Sequence, residues 1–396
     1  METIPSSEVG IKINRWYNEI QKLNVIEAER LKAEVHLAIE RMEEDQDLLS
    51  YYQLMNFRHE LMLEYLFPAE KKLSKSDYLR EIEGQGRKLS GLLEYYFSFF
   101  TGMYHFSRGK YIKAIKAYRA AEKKLTKVSD KIEKAEFYYK MAEVFYHMKQ
   151  THMSMYYVSL AYDIYKSYDA YVIRRINCLF VVAGNYIDLS THDQALPHLL
   201  SAKESAEDIQ NKAIVAKALL NVAYCYNAME RPTKAIEYFH KAIDVAKEIK
   251  AKELTQAYYD LALIHFRNNE NIEGRKFYEK ALESARVFED ELFLCLLDVL
   301  EALFIKSANK SEVLETMKPL RDSRGYPYLE ELALEAALFY TRNERPNDSI
   351  FFYDQMVQAQ KQIKRGDFLY EIKAVSFADP CFGLVGRVER FHSHIC

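Results

Sequence analysis

Glycine and proline are scarce in this sequence of 396 residues, which contains 12 and 8 of them. An average soluble protein carries about 7% glycine and 5% proline. Turn-rich β-sandwiches, propellers and glycine-loop nucleotide folds are therefore disfavoured. Tyrosine and phenylalanine are abundant instead, at 31 and 22 residues. With many alanine, leucine, glutamate and lysine residues, this composition predicts a long, all-α protein with aromatic packing between its helices.

An excess of charge of either sign is also missing, since 55 basic and 58 acidic residues leave a net charge of -3. We therefore expect no direct binding of nucleic acid. The chain has no apolar run near about 18 residues and no leader-like N-terminus, so we expect no membrane span and no signal peptide. The five cysteines are widely spaced and form no CxxC motif, which indicates a reducing compartment and predicts a cytoplasmic location.

A spacing of small and bulky residues recurs through residues 96–373, at intervals of about 36–41 residues. Each copy places a bulky residue four positions after a small one, and another core residue three positions later. The small positions are Ala114, Ser154, Ala195, Ala235, Gly274, Val313 and Ser349, with the sixth copy the weakest. Twelve residues earlier stand Gly102, Ala142, Ala183, Ala223, Ala262, Glu301 and Ala337, among which only Glu301 is large.

Small residues at these two points let paired helices approach closely, which is typical of tetratricopeptide (TPR) repeats. We therefore predict a right-handed superhelix of about seven TPR helix pairs. Because the interval exceeds the usual period of about 34 residues, we expect extended loops.

Residues 1–68 do not share this spacing. Three amphipathic stripes, the last ended by Pro68, predict an N-terminal three-helix bundle. We assign residues 69–95 to a linker helix region, 96–373 to the TPR domain, and 374–396, where the helical period disappears, to an atypical C-terminal tail.

Common catalytic motifs are missing: there is no P-loop, GxGxxG, HExxH or GxSxG. We predict no metal site and no cofactor bound by this chain. The acidic run at residues 43–47 resembles a solvated corner between helices. Gln46, Ser50, Gln53 and Phe57 would then share a helix face, with Leu49 and Leu54 beside it. Bundle core is the favoured interpretation of this face from spacing alone, and an exposed partner surface is the alternative.

The concave wall of a TPR superhelix usually binds an extended peptide. Asn221 is positioned to bind peptide backbone, while Asp188 and Asp260 would favour a cationic side chain. The repeat positions add Lys140, Phe180 and Tyr259 to this predicted binding site. A solvated helix face is the alternative interpretation for each charged residue.

Three segments resemble one known family: RMEEDQDLLSYYQLMNFRHELML, KLSGLLEYYFSFFTGMYHF and DKIEKAEFYYKMAEVFYHMKQTHMSMYY. They are similar to the Rap proteins, the response-regulator aspartate phosphatases of spore-forming Gram-positive bacteria. The resemblance runs from about residue 7 to the segment ending LYEI, and it is strongest to members that act on the sporulation phosphorelay. It implies a three-helix bundle followed by seven TPR repeats, in agreement with the prediction above.

The resemblance also implies roles for individual residues. The Glu-Glu-x-Gln-Asp motif would make Gln46 the catalytic residue, which orients the water that attacks an aspartyl phosphate on the partner. Leu49 and Phe57 would dock the regulator, with Asp45 beside them. We add Leu54 to this docking set from its position beside the same helix face. Mg²⁺ is expected on the regulator rather than on this chain.

Rap proteins are inhibited by short signalling peptides of the Phr type, so the resemblance implies a quorum-sensing role. Asp188 and Asn221 match the peptide-binding positions of the family. The partners expected are thus a phosphorylated response regulator and a short peptide. The alternative function is that of a Rap-type inhibitor without catalysis, which sequesters the DNA-binding domain of a regulator.

Overall fold

The computed structural model describes residues 3–66, 89, 91–322 and 325–364, and these form seventeen α-helices. Within these ranges no β-strand forms, and a single isolated bridge pairs Ile4 with Met42. The predicted all-α fold is confirmed. Across the same ranges, no helix is both long and apolar enough to cross a membrane.

The first three helices form the predicted bundle, at α1 (Ser6–Lys22), α2 (Val25–Ile39) and α3 (Gln46–Leu66). Their apolar stripes meet around Trp16, which is fully buried. The indole Nε1 of Trp16 donates a hydrogen bond to Nδ1 of His59 over 3.0 Å. That bond joins α1 to α3 inside the bundle.

Seven antiparallel helix pairs follow the bundle. They are α4 (Gly91–Ser107) with α5 (Tyr111–Glu122), α6 (Lys131–His147) with α7 (Thr151–Tyr165), α8 (Val172–Asp188) with α9 (His192–Asp208), α10 (Lys212–Ala228) with α11 (Pro232–Glu248), α12 (Glu253–Arg267) with α13 (Asn271–Val287), α14 (Glu291–Leu300) with α15 (Lys310–Thr316), and α16 (Tyr326–Arg342) with α17 (Pro346–Lys364). The predicted seven TPR pairs are confirmed.

Close approach of the two helices explains the small residues of the repeat. A Cβ atom on Gly102 would lie 2.3 Å from Cδ1 of Tyr118, and one on Gly274 would lie 2.6 Å from Cδ1 of Phe266. In the second pair, the hydroxyl of Ser154 donates to the carbonyl oxygen of Ala142 over 2.9 Å. A larger residue at these points would force the paired helices apart.

The extended loops that we predicted, within or between repeats, are absent from the turns within the repeats, whereas the connections between repeats at 123–130 and 166–171 are longer. Only three residues separate His147 from Thr151, and most repeat helices contain 15–19 residues, which accounts for the long period. Each turn contains one left-handed residue, at Gly109, Lys149, Ser190, Glu230, Asn269, Ala308 and Glu344. The backbone N–H of Gln150 then bonds to the carbonyl of Phe145 over 2.9 Å, as in the usual helix C-terminal motif.

The sixth repeat is irregular where its sequence departs from the pattern. Glu301 occupies the position of the small residue, and there α14 continues into a π-helix at Glu301–Ile305. Its partner α15 contains only seven residues. A large side chain at the contact point therefore coincides with the distortion of the pair.

The predicted domain boundaries need one correction. Helix α4 begins at Gly91, so the residues at 91–95 belong to the first repeat rather than to the linker. Most of the predicted linker at 69–95 and all of the tail at 374–396 lie outside the described residues.

Candidate functional site

The first candidate site is the N-terminus of α3. Oδ1 of Asp45 accepts a hydrogen bond from the backbone N–H of Leu48 over 3.0 Å, which is the contact of an N-cap residue. Gln46 is the first residue of the helix and is exposed. Its Nε2 lies 3.5 Å from Oε1 of Glu44, at the limit of hydrogen bonding. The carboxamide is therefore presented to solvent from a fixed helix end.

The predicted docking residues do not share that exposure. Leu49 is half-buried, whereas Leu54 and Phe57 are fully buried. The ring of Phe57 lies 6.3 Å from the ring of Tyr104, centroid to centroid, so α3 packs on α4 here. The burial of Leu54 and Phe57 agrees with the bundle-core interpretation that spacing favoured, and the alternative, an exposed patch that includes both, is not present in this arrangement of the chain.

The reason lies in the surroundings of α3. Most residues of its second half are buried: Leu54, Met55, Phe57, Arg58, His59, Glu60, Leu61, Met62 and Leu63. Helix α3 is covered by the bundle on one side and by the repeat domain on the other, so it has no free apolar face in that half.

The second candidate site is a cavity of about 550 Å³ on the concave side of the repeats. Five of the six predicted peptide-binding residues line it: Phe180, Asp188, Asn221, Tyr259 and Asp260. They come from α8, α10 and α12. Three consecutive repeats thus place their predicted residues on one continuous wall. The volume of the cavity suits a short peptide.

Lys140 is the exception and does not line the cavity. Its ammonium lies 2.6 Å from Oε2 of Glu143 and 5.4 Å from the ring centroid of Tyr65, at the end of α3. Lys140 was predicted from its equivalent position in the repeat. That prediction of its location is wrong because the end of α3 packs beside this part of α6. The prediction that Lys140 binds the peptide is corrected accordingly.

Two ion pairs organise the charges of the cavity. Nζ of Lys149 lies 2.7 Å from Oδ1 of Asp188, so the carboxylate of Asp188 already has a cationic partner. Arg267 binds Glu335 through both of its carboxylate oxygens, with Nε 2.9 Å from Oε2. Such bidentate pairs are stronger and more directional than single contacts.

Asp260 has a different environment. Its Oδ2 is buried without a hydrogen-bond partner in the described part of the chain. Burial, followed by the nearby charge of Glu331, raises the pKa of Asp260 to about 7, against the opposing effect of Arg267. Desolvation by the surrounding protein raises the pKa of Glu331 as well, against the opposing charge of Lys149 and with a further contribution from Asp188, although the side chain of Glu331 remains exposed to the cavity. The cavity therefore holds two carboxyl groups that would gain from a cationic ligand.

Sequence reasoning did not identify Lys149, Arg267 and Glu331 as cavity residues. Glu331 belongs to the last repeat, one helical turn before the groove position at Glu335, and it faces the second repeat across the cavity. The winding of the superhelix brings these distant repeats together. Lys149 lies at the left-handed position of the turn between α6 and α7, and the spacing of residues within the helices gives no signal for it.

The N-terminal region matches the family model described as response regulator aspartate phosphatase H, N terminal, over residues 3–64. Two tetratricopeptide repeats match at 216–249 and 255–288. Response regulator aspartate phosphatase E of Bacillus subtilis (strain 168) is 48% identical over 375 residues, which cover 94% of this chain and 100% of that protein. This chain belongs to the Rap family.

Solved Rap structures agree with this membership. A Rap protein in complex with competence and sporulation factor is 37% identical and aligns over 91% of this chain and 99% of its own, with a TM-score of 0.85. The Rap conjugation gene regulator of plasmid pLS20, in complex with the Phr* peptide, is 26% identical and covers 93% and 99%, with a TM-score of 0.67. The second of these Rap proteins was thus solved with a peptide.

Proposed function

We propose that this Rap protein hydrolyses the aspartyl phosphate of a response regulator of the sporulation phosphorelay, and that Gln46 orients the attacking water. The observation that supports this most directly is the exposed carboxamide of Gln46 at the capped start of α3. The relative that is 48% identical bears the name of such a phosphatase.

The chemistry suits a glutamine. An aspartyl phosphate is a reactive mixed anhydride, so the regulator needs little beyond a correctly placed water. A carboxamide both accepts from and donates to that water, and it adds no negative charge beside the phosphoryl group. The water-positioning glutamine of GTPases has the same role. Mg²⁺ held by the regulator would neutralise the charge on the phosphoryl oxygens, so this chain itself needs no cofactor.

A short signalling peptide of the Phr type is the proposed inhibitor, bound in the cavity of the repeat domain. Asn221 would hydrogen-bond to the peptide backbone, and the carboxyl groups of Asp260 and Glu331 would attract a basic side chain. Support comes from the five predicted residues that line the cavity and from the related Rap conjugation gene regulator, which was solved in complex with the Phr* peptide.

Inhibition would follow from the position of the N-terminal helices. With α3 packed on α4, Phe57 lies inside the protein, where no regulator reaches it. We propose that the bound peptide favours this closed arrangement and that regulator binding needs an open one. Two ligands that prefer different arrangements of one protein oppose each other's binding, which is the definition of allosteric coupling.

The test is loss of acyl phosphate from a panel of phosphorylated response regulators, measured with and without the chain. Accelerated loss from one regulator supports catalysis. If instead the chain binds the DNA-binding domain of a regulator and leaves its acyl phosphate intact, the non-catalytic inhibitor is the correct function. Gln46→Ala separates the two, since sequestration does not need the carboxamide.

A further inference from the structure

A buried polar network joins the N-terminal helices to the repeat domain. Glu133 and Glu136 of α6 lie one turn apart and are almost fully buried. Oε2 of Glu133 accepts hydrogen bonds from the hydroxyl of Tyr17 over 2.5 Å and from Nε2 of Gln21 over 2.8 Å, both on α1. Its Oε1 accepts from the hydroxyl of Tyr95 on α4 over 2.8 Å. The carboxyl group of Glu133 thus accepts hydrogen bonds from both the bundle and the first repeat.

Glu136 binds the cationic members of the network. Arg58 of α3 donates to Oε1 of Glu136, and Arg174 of α8 donates to the same oxygen over 3.1 Å. Nε of Arg174 also donates to the backbone carbonyl of Gln21 over 2.8 Å. Helices α1 and α3 are therefore both attached to α6 and α8 through these two neighbouring carboxyl groups.

The two carboxyl groups differ in charge compensation. Both guanidinium groups contact Glu136, whereas the hydrogen-bond donors to Glu133 are neutral. Burial, and next the carboxylate of Glu136, raise the pKa of Glu133 to about 8. The titratable and charged groups around Glu133 are Tyr17 from α1, Tyr51 and Arg58 from α3, Tyr95 and Tyr96 from α4, Glu136 from α6, Tyr165 from α7 and Arg174 from α8.

The network is incompletely satisfied. Oε1 of Gln21, Nε of Arg58 and Oε2 of Glu136 are buried without a hydrogen-bond partner among the described residues. Buried polar atoms without partners oppose the stability gained from the other contacts. Such an interface gives a defined geometry without a large stabilisation.

We propose that Glu133 and Glu136 form a proton-linked latch that holds the N-terminal helices on the repeat domain. Phe57, next to Arg58 on α3, is buried by the same packing of α3 on α4. Opening of the latch would expose it. The part of the inference that concerns a regulator rests on the proposed function, whereas the latch itself does not.

The sign of the pH dependence follows from the charge of Glu133. In an open chain this carboxyl would ionise near its ordinary pKa of about 4.3. In the closed arrangement it keeps its proton up to a pKa of about 8. Closure therefore takes up a proton between these values, so rising pH weakens the closed arrangement until Glu133 is ionised in both states.

The first experiment compares the radius of gyration of the full chain and of Glu133→Gln, by small-angle X-ray scattering near pH 6 and near pH 8.5, on either side of the Glu133 transition. Glutamine preserves the acceptor for Tyr17 and removes the titration. We expect the unaltered chain to expand at the higher pH and Glu133→Gln to stay compact at both. An unaltered chain with one radius throughout, or a variant that expands equally, would overturn the proton linkage.

The second experiment removes a single hydroxyl. Tyr17→Phe deletes a donor to Glu133 and should expand the chain near pH 6. Tyr340→Phe is the matched control, because that buried hydroxyl donates only to the carbonyl of Ala308 within the repeat domain. Emission of the single tryptophan, Trp16, should stay that of a buried indole in both variants, which shows that the bundle is folded. A Tyr17→Phe chain as compact as the control would overturn the latch.

Acyl-phosphate loss from a phosphorylated regulator distinguishes the latch from the proposed function. We expect Tyr17→Phe to accelerate dephosphorylation severalfold, since more of the chain would expose Phe57. Expansion of Tyr17→Phe without any change of rate would support the latch and overturn its link to regulator binding.

Discussion

Oδ1 of Asp45 accepts a hydrogen bond from the backbone N–H of Leu48 over 3.0 Å, and this contact fixes where α3 begins. The next residue, Gln46, is therefore presented from the first turn of a 21-residue helix rather than from a loop. A rigid base of this kind limits the positions that the carboxamide can adopt, which catalysis by orientation requires.

Asp45 can be tested as the residue that positions Gln46. Asp45→Ala removes the cap and should lower the free energy of unfolding by about 1 kcal/mol, with a fall in the rate of dephosphorylation. Asp45→Asn restores a capping oxygen without the charge and should recover most of both. Denaturant unfolding and the phosphatase assay measure the two effects. Equal loss of activity in both variants would show that the charge itself is needed, as for a docking residue.

Gln46→Ala should abolish stimulated dephosphorylation and leave the affinity for the regulator within a few fold, because a truncated side chain orients no water. Gln46→Glu keeps the size but adds a charge that repels the phosphoryl group, and it should be equally inactive. Single-turnover loss of acyl phosphate and calorimetric binding measure the two quantities. Full activity in Gln46→Ala would exclude the water-orienting role.

Asn221→Ala should weaken binding of a short peptide in the cavity, since each lost backbone hydrogen bond costs about 0.5–1.5 kcal/mol. Dephosphorylation without peptide should be unchanged, because Asn221 lies in the repeat domain, away from Gln46. Asn347→Ala on α17, which is exposed and outside the cavity, serves as the control. Calorimetry with a pentapeptide that carries one arginine gives the comparison, and equal affinities for the two variants would place the peptide elsewhere.

In the Glu133→Gln chain, whose closure does not titrate, affinity for such a basic peptide should rise between about pH 6 and pH 8. Asp260 loses its proton as pH increases through its pKa of about 7, and the new carboxylate attracts the cation. Asp260→Asn should weaken binding at the higher pH and remove most of the pH dependence. Asp188→Asn should have a smaller effect, because Asp188 already has a cationic partner in Lys149. A larger loss in Asp188→Asn would make Asp188 the principal contact of the cation.

Gly102→Ala should destabilise the first repeat by about 1–3 kcal/mol, the usual cost of overpacking. The added methyl group would lie 2.3 Å from the ring of Tyr118. Gly10→Ala in α1 is the control, since its nearest neighbour would lie 3.5 Å away, and it should stabilise the helix by about 0.5–1 kcal/mol. Denaturant unfolding gives both values. A neutral Gly102→Ala would show that the helices can separate without cost.

The repeated part of this protein could be predicted from local spacing alone. Small residues such as Gly102 and Ala142 mark the contact between the two helices of one pair, and such contacts join residues close in the chain. Their spacing is therefore visible in the sequence, even in the irregular repeat, where Glu301 interrupts it. The exposed start of α3 at Gln46 could likewise be predicted from its neighbours in the sequence, because an acidic, helix-capping segment precedes it.

The accessibility of each surface, in contrast, depends on how the helices pack in three dimensions. Phe57 has the same helical position whether α3 is free or covered, and its burial depends on α4, which follows it in the chain. Glu331 reaches the cavity because small rotations between successive repeats add up and bring the last repeat opposite the second. Lys140 lies outside the cavity and contacts Tyr65 at the end of α3. Contacts of this kind depend on the rotations accumulated over many helix pairs, and the spacing of residues within one repeat does not predict them.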